Sequence, residues 1–225
     1  MRNFDPMAAS MPAPEPRWDP LSPQAVADML AASPVRWWLS GGVALERWLG
    51  GPIRERPNID VSVVYGDLPW IVARLPAGYD AWSLRNEEGI VPFVENAEDL
   101  EVHPVLVRDI EKDAWVLRIN AEDGTPRAWV YKRDPRLQLP WERAVLDMGG
   151  IPTGAPEVQL VWKALRPRPE DDVDKDAVVP KLSDEGRAWY ERCILSVHPH
   201  SSWSIQVRSP FAPGKASWNR SKRNS

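Results

Sequence analysis

The chain has 225 residues, of which 43% are hydrophobic and 27% charged, and this ordinary globular composition excludes collagen, coiled coils and full disorder. The 32 acidic residues outnumber the 28 basic ones, and the resulting net charge of −4 argues against a dedicated nucleic-acid-binding protein. The single cysteine excludes an internal disulfide and a four-cysteine zinc site. No apolar run approaches the ~18–20 residues of a membrane span, and the N-terminus lacks the apolar core of a signal peptide. We therefore expect a cytoplasmic protein.

The first part of the chain predicts alternating helices and strands. Residues 1–20 contain five prolines and few core-forming residues, which predicts a disordered leader. Ser22 before Pro23 is typical of a helix start, and the apolar spacing continues this helix to about residue 32. Further helices are predicted at 43–49 and 67–73. The predicted strands are 36–39, 59–65, 80–84, 101–107, 113–119 and 127–132, with the last two adjacent in a meander.

The pattern becomes helical after residue 156, with helices predicted at 156–165, 170–179 and 183–195. The last 18 residues carry five basic side chains and no acidic ones, which is typical of a solubilising tail. The chain is therefore divided into a leader (1–20), an α/β domain (21–152), a helical C-terminal part (153–196) and a loose basic tail (197–225).

The segment from residue 37 to residue 63 contains the residues most suited to chemistry. Ser40, Gly41 and Gly42 form a small-residue turn at a helix start, where backbone N–H groups can approach a phosphate. Arg54 and Arg56 follow in a loop and can contact phosphate oxygens, although loop arginines are more often simply solvated. Asn58 and Asp60 share one face of the next strand, where two oxygens can hold a hard cation such as Mg²⁺.

This order of motifs resembles the nucleotidyltransferase fold, and in particular the aminoglycoside 2''-adenylyltransferase-like group. That group has a Gly-Gly or Gly-Ser turn, a helix, and then Asp-x-Asp on the next strand. The resemblance spans about residues 25–195 and continues through Trp129-Val-Tyr-Lys-Arg-Asp-Pro and through Gly150-Ile-Pro-Thr-Gly-Ala-Pro-Glu-Val-Gln. It implies a mixed α/β sheet with flanking helices and a small helical segment at the C-terminus.

The resemblance also implies a reaction, in which AMP passes from ATP to a hydroxyl of a small molecule such as an aminoglycoside. Mg²⁺ would be held by two strand carboxylates and by a third on a neighbouring strand. Asp60 matches the second carboxylate, whereas Asn58 stands in place of the first and contributes no charge. Glu101 matches the third, which binds metal or accepts the hydroxyl proton. A second alignment places that third carboxylate at Pro104, in which case it is missing.

Two further features of the C-terminal part are implied by the same resemblance. Lys163 stands where such proteins have a lysine that faces the cleft and contacts phosphate. The acidic run at 170–176 would suit a polycationic aminoglycoside, the alternative being a solvated helix face.

The departures at the carboxylates leave three functions open. The first is an active adenylyltransferase with a weakened metal site. The second is a non-catalytic relative that binds a nucleotide or another ligand. The third is a nucleotidyltransferase toxin that modifies a protein or an RNA.

Overall fold

A mixed β-sheet flanked by helices forms the fold of the computed structural model, which describes residues 17–85, 89–94 and 104–209. The strands are β1 (Trp37–Ser40), β2 (Asp60–Val64), β3 (Tyr79–Arg85), β4 (Gly89–Pro92), β5 (Val105–Asp109), β6 (Ala114–Gly124), β7 (Ala128–Val130), β8 (Gln138–Pro140), β9 (Val145–Asp147) and β10 (Pro152–Gly154). The helices are α1 (Pro23–Leu30), α2 (Gly41–Leu49), α3 (Leu68–Val72), α4 (Trp141–Ala144), α5 (Pro156–Lys163), α6 (Pro169–Val178), α7 (Asp184–Val197) and α8 (Ser202–Arg208). This is the mixed α/β class that the sequence predicts.

The centre of the sheet consists of β6, β2 and β1, within the order β4-β3-β5-β6-β2-β1-β10-β9. Strand β2 is antiparallel to β1 and parallel to β6. Ser40 of β1 is opposite Asp60 of β2, and Asp60 is opposite Arg118 of β6. Because residues in register on adjacent strands share a face, these three side chains form one polar row across the sheet.

Each face of the central strands has its own core. Val61 and Val63 pack with Val26 of α1 and Leu68 of α3 on one face. On the other face Trp38 packs with residues of α5, α7 and α8. Trp38 is in register with Ser62, so the polar residues of β2 lie on this second face, beneath the C-terminal helices.

Several predicted elements are confirmed. Helix α1 begins where expected, because the Ser22 hydroxyl oxygen accepts a hydrogen bond from the Ala25 N–H at 3.1 Å. The predicted meander exists, with Asp123 of β6 paired to Val130 of β7. Strand β6 runs five residues further than predicted, to Gly124. Strands β4, β8, β9 and β10 are missed in the sequence because three or four residues show too little periodicity.

The C-terminal part is not separate from the α/β domain. Strand β10 pairs in parallel with β1, so this part contributes a strand to the same sheet. Residues of α5 and α7 also share the hydrophobic core of Trp38 and Trp129. The apolar faces of these helices cannot be buried against one another alone, and the sheet supplies the missing surface.

Two chain segments expected to be loose are bound to the fold. Near the N-terminus, the Asp19 N–H donates to the Trp115 carbonyl of β6 at 3.0 Å. In the predicted tail, α8 packs beside α7 and buries Trp203, which is 1% exposed. Residues 1–16 and 210–225 lie outside the described residues, as do 101–103 at the start of the predicted strand 101–107. No helix in the described part of the chain is long and apolar enough to cross a membrane.

Replacing Trp203 by Ala tests whether α8 is part of the cooperative fold. The indole fills the core and its N–H donates to Asp172 Oδ1 at 2.6 Å. We expect the free energy of unfolding to fall by about 3–5 kcal/mol, the range for a fully buried aromatic side chain. Urea denaturation followed by circular dichroism measures it, with the half-buried Val207→Ala as the milder control. An unchanged unfolding free energy in Trp203→Ala would show that α8 is not part of the fold.

Candidate functional site

A cavity of about 410 Å³ lies between the first turn of α2, strands β2 and β6, and helices α5 and α6. Seven basic side chains line it, namely Arg54, Arg56, Arg118, Lys132, Lys163, Arg166 and Arg168. The carboxylates of the lining are fewer, namely Asp60, Glu122, Glu170 and Asp171. Asp174 and Glu46, which pair with cations of this lining, reduce the excess of positive charge, and the small excess that remains favours an anionic ligand.

The turn at the start of α2 requires glycine and faces Asp60. Gly41 has a φ of +63°, and a Cβ there would lie 2.6 Å from Asp60 Oδ2. Any other residue would therefore be strained in its backbone and would collide with the carboxylate. The Gly41 N–H donates to Gln159 Oε1 of α5 at 2.7 Å, which ties the turn to that helix.

Two polar atoms beside this turn lack a hydrogen-bond partner within the described residues. They are Ser40 Oγ and Gln159 Nε2, on residues that are 4% and 2% exposed. Both residues line the cavity. Leaving such a buried group unsatisfied costs about 1–3 kcal/mol. Both atoms are themselves buried, and Gln159 Nε2 packs against Gly154, so neither atom is exposed to the cavity.

Asp60 is held by donors from two directions. The Arg118 Nε of β6 donates to Asp60 Oδ1 in a short ion pair. The Asn58 side-chain amide donates to the same oxygen at 3.0 Å. The structure therefore brings the predicted pair Asn58 and Asp60 together, but a guanidinium already neutralises the carboxylate.

Glu122 is another buried carboxylate of the cavity, and it is hydrogen-bonded to two tryptophans. Its Oε2 accepts the indole N–H groups of Trp129 and Trp162, at 2.5 Å and 3.0 Å. Burial raises the pKa of Glu122, even though the hydrogen bonds from Ser62 and the two indoles oppose the shift. This arrangement stabilises the contact between β6, β7 and α5 and leaves little negative charge for a cation.

The described residues are poorly suited to Mg²⁺, which is held by one or two carboxylates together with waters and substrate phosphates. Asp60 is bound to Arg118, and Asn58 presents its amide hydrogens toward Asp60. Within residues 17–85, 89–94 and 104–209 no three His, Cys, Asp or Glu side chains are grouped to hold a metal ion. Glu101, the predicted third carboxylate, lies outside the described residues.

Arg54 and Lys163, the predicted phosphate contacts, are paired with α6 instead. Asp174 accepts from Arg54 Nε at 3.1 Å, from Arg56 Nη2 at 2.8 Å and from Lys163 Nζ at 3.0 Å. Lys163 Nζ also contacts Asp171 Oδ1 at 2.6 Å. We call these five side chains the Asp174 network.

The Asp174 network changes the interpretation of the acidic run at 170–176. Asp171 and Asp174 are 3% and 0% exposed, so neither faces solvent or a polycationic ligand. Their spacing of three residues places both on the inner side of α6, where the basic loop and α5 meet it. Glu170 remains at the rim of the cavity, and Asp176 is exposed.

Two residues that matter here were missed in the sequence, namely Arg118 and Gln159, whereas Asp174 was noticed only as part of the acidic run. For Arg118 a signal exists, since Arg118, Asn120 and Glu122 alternate with apolar residues along β6. Nothing in the sequence indicates that β6 lies beside β2, because 49 residues separate the two strands. Gln159 carries no pattern that separates it from an ordinary helix residue.

The chain is similar to three solved structures with antibiotic-modifying or related descriptions. The first is the lincomycin-bound lincosamide antibiotic adenylyltransferase LnuA, with 15% identity and a TM-score of 0.48 over 69% of this chain and 92% of that chain. The second is ANT(2'')-Ia in complex with adenylyl-2''-tobramycin, with 15% identity and a TM-score of 0.41 over 84% of this chain and 95% of that chain. The third is an antigenic nucleotidyltransferase-like protein from Paracoccidioides brasiliensis, with 13% identity and a TM-score of 0.39 over 82% of this chain and 89% of that chain. No protein-family model matches the chain, and no curated protein does. The solved structures belong by description to the group that the sequence motifs resemble. Because these TM-scores are 0.48 or lower, the function proposed below is based on the residues of the cavity.

Acid should weaken the fold through the Asp174 network. Burial alone would raise the pKa of Asp171, but hydrogen bonds from Arg168 and Lys163 outweigh it and lower the pKa to about 2. The pKa of Asp174 also lies below its ordinary value of 3.8, because Arg56 and Arg54 outweigh burial. Because both pKa values are depressed on folding, their stabilisation is present above pH 3.8 and is lost as the pH falls toward 2. Urea unfolding across this range should show the loss.

The substitution Asp174→Asn tests the contribution of the Asp174 network to stability at neutral pH, apart from the effects of acid on other carboxylates. It removes the buried charge that Arg54, Arg56 and Lys163 share, although Arg56 keeps Glu46 and Lys163 keeps Asp171 as partners. We expect a loss of about 3–5 kcal/mol at neutral pH. The matched control is Asp176→Asn, an exposed carboxylate on the same helix. Equal unfolding free energies for the two variants would contradict the assignment.

Proposed function

We propose that this protein is nucleotidyltransferase-like and binds the phosphate groups of a nucleotide in the described cavity without transferring the nucleotide. The observation that carries the proposal is the Arg118 guanidinium, which is 38% exposed in a cavity that also contains the glycine turn at the start of α2. A guanidinium and the N-terminal end of a helix are both suited to phosphate oxygens.

The size and lining of the cavity support a nucleotide rather than a smaller anion. Its volume of about 410 Å³ falls within the ~300–1,000 Å³ typical of small-molecule sites. The half-buried Trp162 lines it and offers an aromatic surface on which a base can stack. Arg166 and Arg168 add positive charge at the rim. ATP is the nucleotide that the family resemblance implies, and it is the first ligand to test.

The absence of transfer follows from the chemistry that such a reaction demands. An in-line displacement at phosphorus requires divalent metal to stabilise the charge on the attacking and leaving oxygens. The described carboxylates do not fit that metal, since Asp60 is neutralised by Arg118 and Glu122 is bound by two indoles. The Asp60–Arg118 pair therefore favours the binding relative over the active enzyme.

No described feature supports an aminoglycoside acceptor. The acidic run that would have received a polycation contributes Asp171 and Asp174 to the Asp174 network. The proposed function is accordingly a nucleotide-binding one.

Calorimetric titration with ATP, together with a pyrophosphate-release assay, tests the proposal. Wild-type protein should bind ATP and release no pyrophosphate above the buffer rate. Gln159→Glu retains an acceptor for the Gly41 N–H but replaces the amide donor with a negative oxygen. We expect the added negative charge beside the glycine turn to repel the phosphates and raise the Kd for ATP about tenfold or more.

The matched control is Gln138→Glu, which makes the same change at an exposed position on β8. Its Kd for ATP should equal that of the wild type. Failure of the wild type to bind ATP would overturn nucleotide binding. Release of pyrophosphate in the presence of Mg²⁺ would overturn the absence of transfer.

A further inference from the structure

Arg118 occupies a distinctive place in the sheet. It lies in register with Asp60 across the parallel pair β2–β6, and Asp60 lies in register with Ser40 on β1. The three side chains form one row along the cavity wall that faces the start of α2. A guanidinium therefore stands next to the one strand carboxylate that the motif retains.

We propose that the Arg118 guanidinium binds the nucleotide phosphates in place of a divalent metal, so that nucleotide binding is metal-independent. This inference rests on the proposed function. The bond to Asp60 uses the Nε of Arg118, and the Nη groups carry the remaining N–H donors. The side chain is 38% exposed and lines the cavity, so those donors are accessible to a ligand. Guanidinium and phosphate form strong, often bidentate, hydrogen bonds.

Asn58 in the Asp-x-Asp motif and Arg118 on the neighbouring strand change the charge in the same direction. Asn58 removes one negative charge, and Arg118 adds a positive charge within hydrogen-bonding distance of Asp60. Asn58, Asp60 and Arg118 together are neutral, which disfavours a divalent cation. The same neutral group keeps a guanidinium in a fixed position, which suits a phosphate.

Asp60 acts in this arrangement as a positioning residue. It restricts the guanidinium by accepting from Nε, and its own carboxylate packs against Gly41. A metal site and a guanidinium site therefore predict different rankings of two variants. If a metal ion binds the phosphates, Asp60→Asn should raise the Kd for ATP more than Arg118→Gln does. If the guanidinium binds them, Arg118→Gln should raise the Kd more.

Titration of ATP in EDTA and in excess Mg²⁺ tests metal independence. Wild-type protein should give the same Kd in both conditions to within a factor of about two. Arg118→Gln should raise the Kd about 10- to 100-fold, the cost of a charge-assisted contact. Asp60→Asn should raise it less than Arg118→Gln, and Arg118→Lys should restore part of the affinity. Arg136→Gln, an exposed arginine paired with Asp134, is the control for loss of one positive charge.

A second measurement uses Mn²⁺ alone, followed by its electron paramagnetic resonance signal. The wild type should leave the signal of free Mn²⁺ unchanged. The double variant Asn58→Asp/Arg118→Glu replaces the neutral group by three carboxylates and should bind the ion. Thermal unfolding of each variant confirms that it is folded. Mn²⁺ binding by the wild type would overturn the inference.

The outcomes separate this inference from the proposed function. ATP binding only in Mg²⁺, or equal Kd values for wild type and Arg118→Gln in EDTA, would overturn the role of Arg118 and leave nucleotide binding intact. If ATP does not bind in either condition, the proposed function fails. Titration with inorganic phosphate then tests Arg118 separately, because binding by wild type that Arg118→Gln loses would still support the guanidinium site.

Discussion

The ion pair between Asp60 and Arg118 connects the two central strands and sets the charge of the cavity between the sheet and the helices. Asp60 also packs against Gly41, so the same carboxylate is linked to the start of α2. Removing either charge alone would leave its partner uncompensated in a partly buried site, which is costly. The cavity therefore depends on a carboxylate and a guanidinium remaining together.

Around this pair, charge neutralisation within the protein determines which groups are available to a ligand. The Asp174 network uses the positive charges of Arg54, Arg56 and Lys163 to join the basic loop, α5 and α6. Glu122 is likewise used by two indole N–H groups. What remains for a ligand includes the Arg118 Nη groups, on a side chain that is 38% exposed and lines the cavity. A guanidinium has donors and no acceptor, so it selects an anion, and this is why the cavity fits phosphate better than metal.

The local elements of the fold were largely predictable from the sequence, but their partners were not. Ser22 capped α1 as expected, and the alternation around Val61 and Val63 located β2. For Arg54, a basic residue in a loop near a glycine turn, the sequence predicts phosphate contact, which stays a prediction. It did not show that α6 supplies a buried Asp174 as the partner of Arg54 within the protein. A sequence pattern shows which side chains can form charge pairs, and only the packing of distant segments decides which pairs form.

By itself the sequence determined the mixed α/β class, the glycine turn before α2 and the polar face of β2, because these depend on backbone sterics and on residue spacing. The resemblance of its motifs to nucleotidyltransferases also implies that Asn58 stands in place of a carboxylate. The tertiary structure decided that Arg118 neutralises Asp60, that Gln159 binds the Gly41 N–H, and that α8 belongs to the core. Arg118 and Asp60 are 58 positions apart in the chain, and Gln159 and Gly41 are 118 positions apart. The hydrogen bond that the Ser204 hydroxyl of α8 donates to the Ile194 carbonyl of α7 spans 10 positions. Such contacts depend on strand order and helix packing, which local periodicity does not encode.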